Sequence, residues 1–391
     1  MGSVSATAVY LDNAATTRVD EVVVSVMVEA MTVDYGNPSS AHRMGVRAAR
    51  RLETAREQVA RALDAEARDI YFTSGGTEAN ALGVLGVAAG MRIRAGIAPH
   101  VLLSALEHPS VAEATARLGE RGFVVSDVRP APNGVVRIED LLAALRDETA
   151  LVALMMVSNE LGTIQPVFEA ARAIKARAPR AHIHVDAVQA LGKLPISVAA
   201  GPIDSLAVSA HKIHGPKGAG ALWLRRGARV ASLTIGGGQE RGLRPGTEGV
   251  PGAVGFGLAT ERAERARPEA AVHMAALRTR LIERARAVFP SLRVHGEAAG
   301  FVSAPAPHIV ALGFAGVPSE PLLHALEARG VYVSAGSACA SKDKRPSAAL
   351  RAIGVADDVG TIRFSTCRGS TVAEIDAAVV ALGEALRELG R

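Results

Sequence analysis

A lysine stands between two histidines in the stretch SAHKIHGPKGAG, which runs from residue 209 to residue 220. Only six of the 44 Lys and Arg residues in the chain are lysines, so this position departs from the chain's preference for arginine. Arginine keeps its proton in proteins, whereas a lysine amine desolvated near other positive groups becomes a neutral nucleophile that can form a Schiff base. Lys212 is therefore a candidate Schiff-base residue, and a surface lysine at a strand-to-loop turn is the alternative that this stretch leaves open.

Two further patterns supply chemistry that suits such a lysine. Asp186 ends the alternating stretch HIHVD, and a carboxylate at a buried strand end needs a cationic or hydrogen-bonded partner, such as the protonated pyridine nitrogen of pyridoxal phosphate. The stretch SGGTEAN, residues 74–80, is a glycine-rich turn that opens a helix, where free backbone amides favour a phosphate. Each pattern also has an ordinary structural interpretation, because Asp186 and Thr77 are both suited to cap a helix.

The three patterns share one chemical logic when they follow successive strands of one parallel sheet. The turn would hold a phosphate, Asp186 would hold a ring nitrogen, and Lys212 would bind the cofactor as an imine. The neighbouring histidines at positions 182, 184, 211 and 214 suggest zinc as an alternative, but no thiolate and no third-ligand pattern accompanies them. Together the patterns favour a pyridoxal phosphate site without a metal.

The elements that must position these residues follow an α/β pattern. From about residue 70 to residue 225, short β-rich runs alternate with helical segments, and several runs are apolar throughout, as expected when helices cover both faces of a mostly parallel sheet. Ligands bind beyond the carboxyl ends of the strands in such sheets. After the loop GGGQERGLRPGTEGVPG come long Ala/Arg/Glu helices, one of them restarted at Pro268, and then a second α+β region. We therefore expect a domain boundary near residue 260.

The bulk composition excludes several classes of protein. A chain of 391 residues with 49% hydrophobic and 21% charged residues is typical of a two-domain globular protein. The net charge of +5 comes from arginines interleaved with acids, and aromatics make up only 3%, so direct binding of nucleic acid is not expected. The absence of a membrane-length apolar run, of a signal-peptide pattern and of paired cysteines predicts a cytoplasmic protein with no membrane partner.

The chain resembles the cysteine desulfurases of the NifS/IscS-like branch of the class V aminotransferase family. The resemblance runs almost end to end, through YLDNAATT, YGNPSSAH, FTSGGTEAN, EHPSV, SNELGTIQP, HVDAVQALGKLP, SAHKIHGPKGAGALW, GGGQERGLRPGTE, SAGSACAS and IRFS. It implies the aminotransferase-like fold of pyridoxal phosphate enzymes (fold type I) and pyridoxal 5'-phosphate as the cofactor. The large cofactor-binding domain, with its mostly parallel sheet, would be residues 16–259. Residues 1–15 and 260–391 would form the smaller α+β domain that carries a catalytic cysteine loop.

The resemblance also implies roles for individual residues. Lys212 would bind the cofactor covalently, Asp186 would hold its ring nitrogen, and His108 would stack on the ring and move protons. Gln189 would bond the phenolic oxygen. The phosphate would be held by Gly76, Thr77, Ser209 and His211, joined by Thr247 of the partner subunit. The substrate carboxylate would be held by Asn13, Asn159 and Arg363, the last with the bidentate fork of its guanidinium. Cys339 in GSAC would be the nucleophile, and Cys367 matches no family role.

The implied activity is the conversion of L-cysteine to L-alanine by a homodimer, with the sulfur left on Cys339 as a persulfide for an acceptor protein in iron–sulfur or thiolation pathways. The alternatives are a selenocysteine lyase or an aminotransferase on the same fold, or a silent sulfur carrier; transamination needs no thiol. The polar loop ASKDKR after Cys339 matches the long-loop branch and is expected to move, but Arg345 stands where that branch often has an acid. Because the sequence stops at Arg391, directly after its last helical pattern, we expect the C-terminal extension with which housekeeping members dock a scaffold to be missing, and the identity of the acceptor is not predicted.

Overall fold

The computed structural model describes residues 8–91, 96–297, 305–335 and 346–390. The strands are β1 (Val9–Tyr10), β2 (Ile70–Thr73), β3 (His100–Ser104), β4 (Val124–Val128), β5 (Thr149–Met155), β6 (His182–Asp186), β7 (Ser205–Ser209), β8 (Gly220–Leu224), β9 (Arg293–His295), β10 (Ile309–Ala315), β11 (Val331–Tyr332) and β12 (Val359–Ser365). The helices are α1 (Glu21–Thr32), α2 (Arg43–Ala62), α3 (Gly76–Ala81), α4 (Val87–Gly90), α5 (Pro109–Glu120), α6 (Ile138–Ala144), α7 (Val167–Arg177), α8 (Val250–Val288), α9 (Ser319–Glu327), α10 (Ala348–Ala352) and α11 (Val372–Glu388).

The largest sheet has seven strands in the order β2-β8-β7-β6-β5-β3-β4. Neighbouring strands from β7 to β4 are parallel, and β8 runs antiparallel to both β7 and β2. Every residue of β6, β7 and β8 is buried, because helices cover both faces of the sheet. The predicted α/β class with a mostly parallel sheet is therefore confirmed.

A second, smaller core follows the long helix α8. The antiparallel sheet β12-β10-β9 and the two-stranded parallel sheet β1-β11 enclose it, together with α9 and α11. Val9 and Leu11 near the start of the chain pack in this core, so the N-terminal segment lies among C-terminal elements. Residues 12–17 then lead from the smaller core to the carboxyl edge of the large sheet, where Thr17 bonds the backbone of His211.

Helix α8 is continuous through Pro268, so the prediction that a helix restarts there is wrong. Proline removes one backbone N–H and strains the preceding turn, but tertiary packing outweighs that cost when apolar side chains are buried on both sides of it. Ala263 precedes the proline and Ala270 and Met274 follow it, and all three side chains are buried. The expected domain boundary near residue 260 lies inside this helix and stays a prediction. Within the described residues, no helix is both long enough and apolar enough to cross a membrane.

Candidate active site

Lys212 lies at the end of a short 3₁₀ turn, Ala210–Lys212, that directly follows β7. Its Nζ donates to the backbone oxygens of Ala14 and Ala15, each at 2.6 Å. Burial is the main cause that lowers the pKa of this lysine to about 8, and the positive charge of Arg363 lowers it further. No acidic side chain among the described residues bonds the amine, and with this pKa a minor fraction of it is neutral near physiological pH, as nucleophilic chemistry requires.

Asp186 is the last residue of β6 and is only 6% exposed. Its Oδ1 accepts from the backbone N–H of Val188 at 2.9 Å, and its Oδ2 accepts from Nδ2 of Asn80 at 2.7 Å. Among the described side chains, no Lys or Arg forms an ion pair with it. A buried carboxylate without a cation carries an uncompensated cost, and a protonated pyridine nitrogen would compensate it.

A polar cradle lies between the start of α3 and the end of β7. Ser209 is 1% exposed, and its Oγ has no hydrogen-bond partner among the described residues, which is costly for a buried hydroxyl. Gly76 opens α3, and a Cβ at this position would lie 2.8 Å from Cγ2 of Val188 and 3.5 Å from Cβ of Ser209. The glycine thus leaves space in front of an unpartnered hydroxyl and the first amides of a helix. Together with Thr77, which is exposed at the rim, these residues fit the phosphate of pyridoxal phosphate.

His211 lies beside this cradle and is held by a hydrogen bond between its Nδ1 and Oγ1 of Thr16 at 3.2 Å. Burial, followed by the charge of Lys212, lowers the pKa of His211 to about 4. The imidazole is therefore neutral at physiological pH, and it would meet a phosphate as a hydrogen-bonding group rather than as a cation.

His108 caps the N-terminus of α5 through its Nδ1, which accepts from the backbone N–H of Ser110 at 3.1 Å and lies 2.8 Å from the Ser110 hydroxyl. Burial is the largest cause that lowers the pKa of His108; the charge of Lys212 also lowers it, and that of Asp186 raises it. These mutual electrostatic effects place His108, Lys212 and Asp186 in one site. Because Nδ1 accepts, Nε2 is the nitrogen left for contact with a ligand.

Gln189 is buried one short turn beyond Asp186. Its Nε2 donates to the backbone oxygen of Ala14 at 2.9 Å, and its Oε1 lies 3.3 Å from Nε2 of His308. The same Ala14 oxygen accepts from Lys212, so the two side chains converge on one carbonyl. Sequence reasoning did not find His308, which comes from the start of the second α+β region.

Arg363 projects from β12 and is 5% exposed. Its Nη1 donates to the backbone oxygen of Asn159 at 2.8 Å, and its Nη2 pairs with Oδ1 of Asp12 at 2.8 Å. Its Nε is buried and has no partner in the part of the chain that the structure describes, so one donor of the guanidinium fork stays open there. Asn13 is more fully engaged, because its Nδ2 donates to the backbone oxygens of Tyr10 at 3.2 Å and Ser365 at 3.0 Å.

Residues 9–378 match the family model described as aminotransferase class-V. The chain belongs to this family. It is 40% identical over 384 residues to the cysteine desulfurase of Trichormus azollae, covering 97% of this chain and 93% of that protein. It is 39% identical over 384 residues to the cysteine desulfurase IscS of Methanosarcina thermophila, covering 98% and 93%.

Solved structures show the same similarity. A NifS-like protein superposes with a TM-score of 0.90 at 36% identity, covering 98% of this chain and all of that one (100%). SspA in complex with cysteine superposes with a TM-score of 0.77 at 29% identity, covering 93% and 99%. The resemblance read from the sequence, and with it the aminotransferase-like fold, is confirmed.

Among the described residues, one that the family resemblance singles out stands apart from this cluster. Thr247 is exposed in the segment between β8 and α8, and its contact with a partner's cofactor stays a prediction. Cys339, Arg345 and the ASKDKR loop lie outside the described residues. The described flanks reach the site, because Ser334 exchanges two backbone hydrogen bonds with Arg363, of 3.2 and 2.7 Å. On the other side, the Ser347 hydroxyl bonds the Glu160 carboxylate next to Asn159.

Besides His308, two polar residues of the site escaped sequence reasoning, Asp12 and Asn80, and His184 was considered only as a possible zinc ligand. Asp12 is an N-terminal residue that pairs with Arg363, 351 positions away along the chain. Asn80 bonds Asp186 across 106 positions and His184 across 104. The sequence offers one signal that a side chain packs closely against this helix, which is the glycine at position 83. A glycine inside a helical pattern costs about 1 kcal/mol relative to alanine, so its presence indicates that a neighbouring group needs the space.

Proposed function

We propose that this member of the class V aminotransferase family is a cysteine desulfurase whose cofactor, pyridoxal 5'-phosphate, binds at the carboxyl edge of the large sheet. The observation that carries the proposal is the combination of Lys212, an amine with a lowered pKa, and Asp186, a buried carboxylate without a cation, in one site. Relatives that cover nearly the whole chain are named cysteine desulfurases, and one structural relative is SspA in complex with cysteine.

The residues at the carboxyl edge of the sheet bind different parts of the cofactor. Ser209 and the N-terminus of α3 hold the phosphate, where the unpartnered Ser209 hydroxyl supports this role. Thr247 of the partner subunit adds to the phosphate site in a homodimer. Asp186 faces the ring nitrogen and Gln189 the phenolic oxygen. When bound, pyridoxal phosphate supplies an electron sink for bond breaking in the substrate.

Two side chains move protons in this site. Lys212 has a pKa of about 8, so its Nζ can both take and return a proton at the substrate's α-carbon near neutral pH. His108 is held through Nδ1, which leaves Nε2 to exchange a proton with the substrate. Burial, the largest cause, and the charge of Lys212 keep the pKa of His108 below its ordinary value, and because Nδ1 accepts, the proton of the neutral ring lies on Nε2, which faces the substrate as a donor.

Arg363 binds the substrate carboxylate. Its open Nε and its burial support this role, because a desolvated guanidinium binds a carboxylate strongly. Asp12 accepts one hydrogen bond from Nη2 of Arg363 and thereby holds the guanidinium in place for the substrate. Asn159, whose backbone oxygen accepts from Arg363, adds its side-chain amide to the same group.

Cys339 receives the sulfur of L-cysteine. The thiolate of Cys339 would attack the sulfur of L-cysteine, and the bond between that sulfur and the substrate Cβ would break. The electron pair of that bond stays on the carbon side, which takes up a proton and leaves as L-alanine, and the sulfur stays on Cys339 as a persulfide. A free thiol has a pKa of about 8.5, so nearby positive charge from Lys212 and Arg363 would raise the thiolate fraction. The segment that carries Cys339 begins beside Arg363, at Ser334, which supports delivery of the thiol to this site. An acceptor protein in the cytoplasm then takes the persulfide sulfur.

The proposal is tested by comparing Cys339→Ser with Cys367→Ser. Cys367 is half-buried and bonds only Ser370 among the described hydrogen bonds, so its replacement should leave L-alanine production near the wild-type rate. Cys339→Ser should bind the cofactor normally but produce almost no alanine, since a serine hydroxyl is a poor nucleophile toward sulfur. Peptide mass spectrometry after brief exposure to L-cysteine should find one added sulfur on Cys339 of the wild type.

Full L-cysteine desulfurase activity in Cys339→Ser, or the added sulfur on Cys367, would refute the proposal. Activity confined to selenocysteine would identify a lyase instead. Amino-group transfer to a keto acid without sulfur release would identify an aminotransferase.

A further inference from the structure

Asn80 is a buried junction between two groups of the site. It lies in α3, is 1% exposed, and its Nδ2 donates to Oδ2 of Asp186 at 2.7 Å and to the Ser110 hydroxyl at 2.8 Å. That hydroxyl lies 2.8 Å from Nδ1 of His108. A single amide therefore connects the carboxylate assigned to the ring nitrogen with the imidazole assigned to the ring face.

The chemistry of the carboxylate fixes the orientation of this amide. An ionised Asp186 can only accept hydrogen bonds, so Asn80 must turn its NH₂ group toward Asp186. The Asn80 Oδ1 then points to the other side, where Nε2 of His184 lies at 3.0 Å. Since that oxygen can only accept, His184 must carry its proton on Nε2.

The series of hydrogen bonds continues beyond His184, and each bond is donated in the direction of Asp186. Burial is the main cause that lowers the pKa of His184 to about 3, so the ring is neutral and its Nδ1 is an acceptor. The Ser205 hydroxyl, 2.8 Å from this Nδ1, donates to it. Ser205 then accepts from Nε2 of His182, at 2.7 Å. Each donor thus points toward Asp186, an arrangement in which hydrogen bonds strengthen one another.

The local backbone is shaped to hold this chain. The helix that carries Asn80 continues after α3 through a π-helical turn, Leu82–Gly86, a feature that is frequent at functional sites. A Cβ at Gly83 in this turn would lie 2.2 Å from both Cε1 and Nδ1 of His184, so only glycine lets the imidazole approach the helix. On the sheet side, the parallel register of β6 and β7 places Ser205 opposite His184.

The other titratable groups around Asp186 do not compete with Asn80 for its carboxylate. Glu107, before α5, has its pKa raised well above the ordinary value, first by burial and then by the charge of Asp186. Its Oε1 accepts from the backbone N–H of Met155 at 2.6 Å. Lys212, after β7, donates to backbone oxygens, and His108 is bonded to Ser110.

We propose that Asn80, oriented by the chain His184–Ser205–His182, is a positioning residue that aligns the Asp186 carboxylate and the His108 imidazole and thereby strengthens protonation of the cofactor's ring nitrogen. The inference rests on the proposed function, because it concerns the binding of pyridoxal phosphate. It assigns a role to buried histidines that lie too deep to touch substrate.

The test uses full-length protein reconstituted with pyridoxal phosphate labelled with ¹⁵N in the ring, and follows the ring-nitrogen signal with pH. In Asn80→Leu, the pH at which the nitrogen loses its proton should fall by about one unit, a tenfold loss of proton affinity, since a hydrogen bond to a charged group is removed. Ser205→Ala should give a smaller shift in the same direction. The kcat for L-cysteine should fall in both variants, with KM changed by less than about threefold.

Thr149→Val is the matched control. Thr149 bonds Nδ1 of a buried histidine, His100, at 2.8 Å, as Ser205 bonds Nδ1 of His184 at 2.8 Å, but His100 opens β3, at the edge of the sheet opposite the site. Thr149→Val should therefore lower the melting temperature much as Ser205→Ala does, while the ring-nitrogen midpoint stays at the wild-type value.

An unchanged midpoint in folded Asn80→Leu would overturn the inference, because a merely structural residue would lower stability alone. If Asn80→Leu does not fold, Ser205→Ala decides: a midpoint equal to that of Thr149→Val overturns the inference, and a downward shift supports it. A wild-type protein that binds no labelled cofactor would overturn the proposed function itself, and the inference with it.

Discussion

Two buried aspartates on neighbouring strands of the large sheet show how one fold treats the same side chain in two ways. Asp204 precedes β7 at the amino edge, where its Oδ2 pairs with Nζ of Lys175 at 2.8 Å and accepts from the backbone N–H of Ile183 at 2.8 Å. Asp186 ends β6 at the carboxyl edge and has two hydrogen-bond donors but no ion-pair partner within the described chain. The charge of Asp204 is thus balanced by a lysine of the protein, whereas the charge of Asp186 is available to a ligand.

The lysines at the two edges differ in the same sense. Lys175 forms an ion pair with a carboxylate. Among the described residues Lys212 bonds only backbone oxygens, and burial is the main cause that lowers its pKa to about 8. The amino edge therefore uses an ion pair for stability, whereas the carboxyl edge holds a lysine and an aspartate that are not paired with each other.

The largest difference between the two edges is expected when each lysine is replaced by arginine. Lys212→Arg should reduce L-cysteine turnover to background and remove the visible absorbance of bound cofactor, because guanidinium cannot act as the amine. Lys175→Arg should keep full turnover and change the free energy of unfolding by less than about 1 kcal/mol, since arginine can still pair with Asp204. Turnover above background in Lys212→Arg would show that the two edges do not differ in this way.

Neutralising each aspartate should separate activity from stability. Asp186→Asn should lower kcat at least about 100-fold, the order of loss found when one electrostatic group of an active site is removed, with little change in the free energy of unfolding. Asp204→Asn should keep kcat but destabilise the protein by about 2 kcal/mol, because Lys175 loses its partner at a partly exposed site. Urea unfolding and steady-state kinetics on both variants measure the two effects, and equal loss of kcat in both would contradict the assignment.

The contrast between the edges also explains what the sequence could predict. Lys212 and Asp186 were found because strand ends are visible as the ends of apolar runs, and parallel strands bring their ends together. Asn80 was missed because two of its partners, Asp186 and His184, lie more than 100 positions away and no local period marks it. Pro268 was misjudged because local propensity yields to packing on both sides of the proline.

A smaller effect is expected from pH, since His182 and His184 are buried in β6, the strand that ends at Asp186. Burial is the main cause that lowers their pKa values, to about 4 and about 3, below the ordinary value near 6.5. The native state therefore binds fewer protons than the unfolded state below about pH 6.5. The stability that these neutral histidines provide is complete above that pH and is lost as the pH falls.

Between pH 7 and pH 5 each of these histidines should cost about 2 kcal/mol of the free energy of unfolding. Urea unfolding at both pH values measures the loss, and His182→Gln isolates one histidine, because the variant should lose about 2 kcal/mol less than the wild type. An identical pH dependence in His182→Gln and wild type would show that His182 is not held neutral in the fold.

The central claim is that the amine at the carboxyl edge binds the cofactor, and peptide mapping tests it most directly. Holoenzyme is treated with borohydride, which makes the bond between lysine and cofactor permanent, then digested and examined by mass spectrometry. With six lysines in the chain, each position can be distinguished. The account predicts the phosphopyridoxyl group on Lys212. Its presence on Lys193, which is also buried and has a pKa lowered to about 7, or on none of the six, would contradict the account.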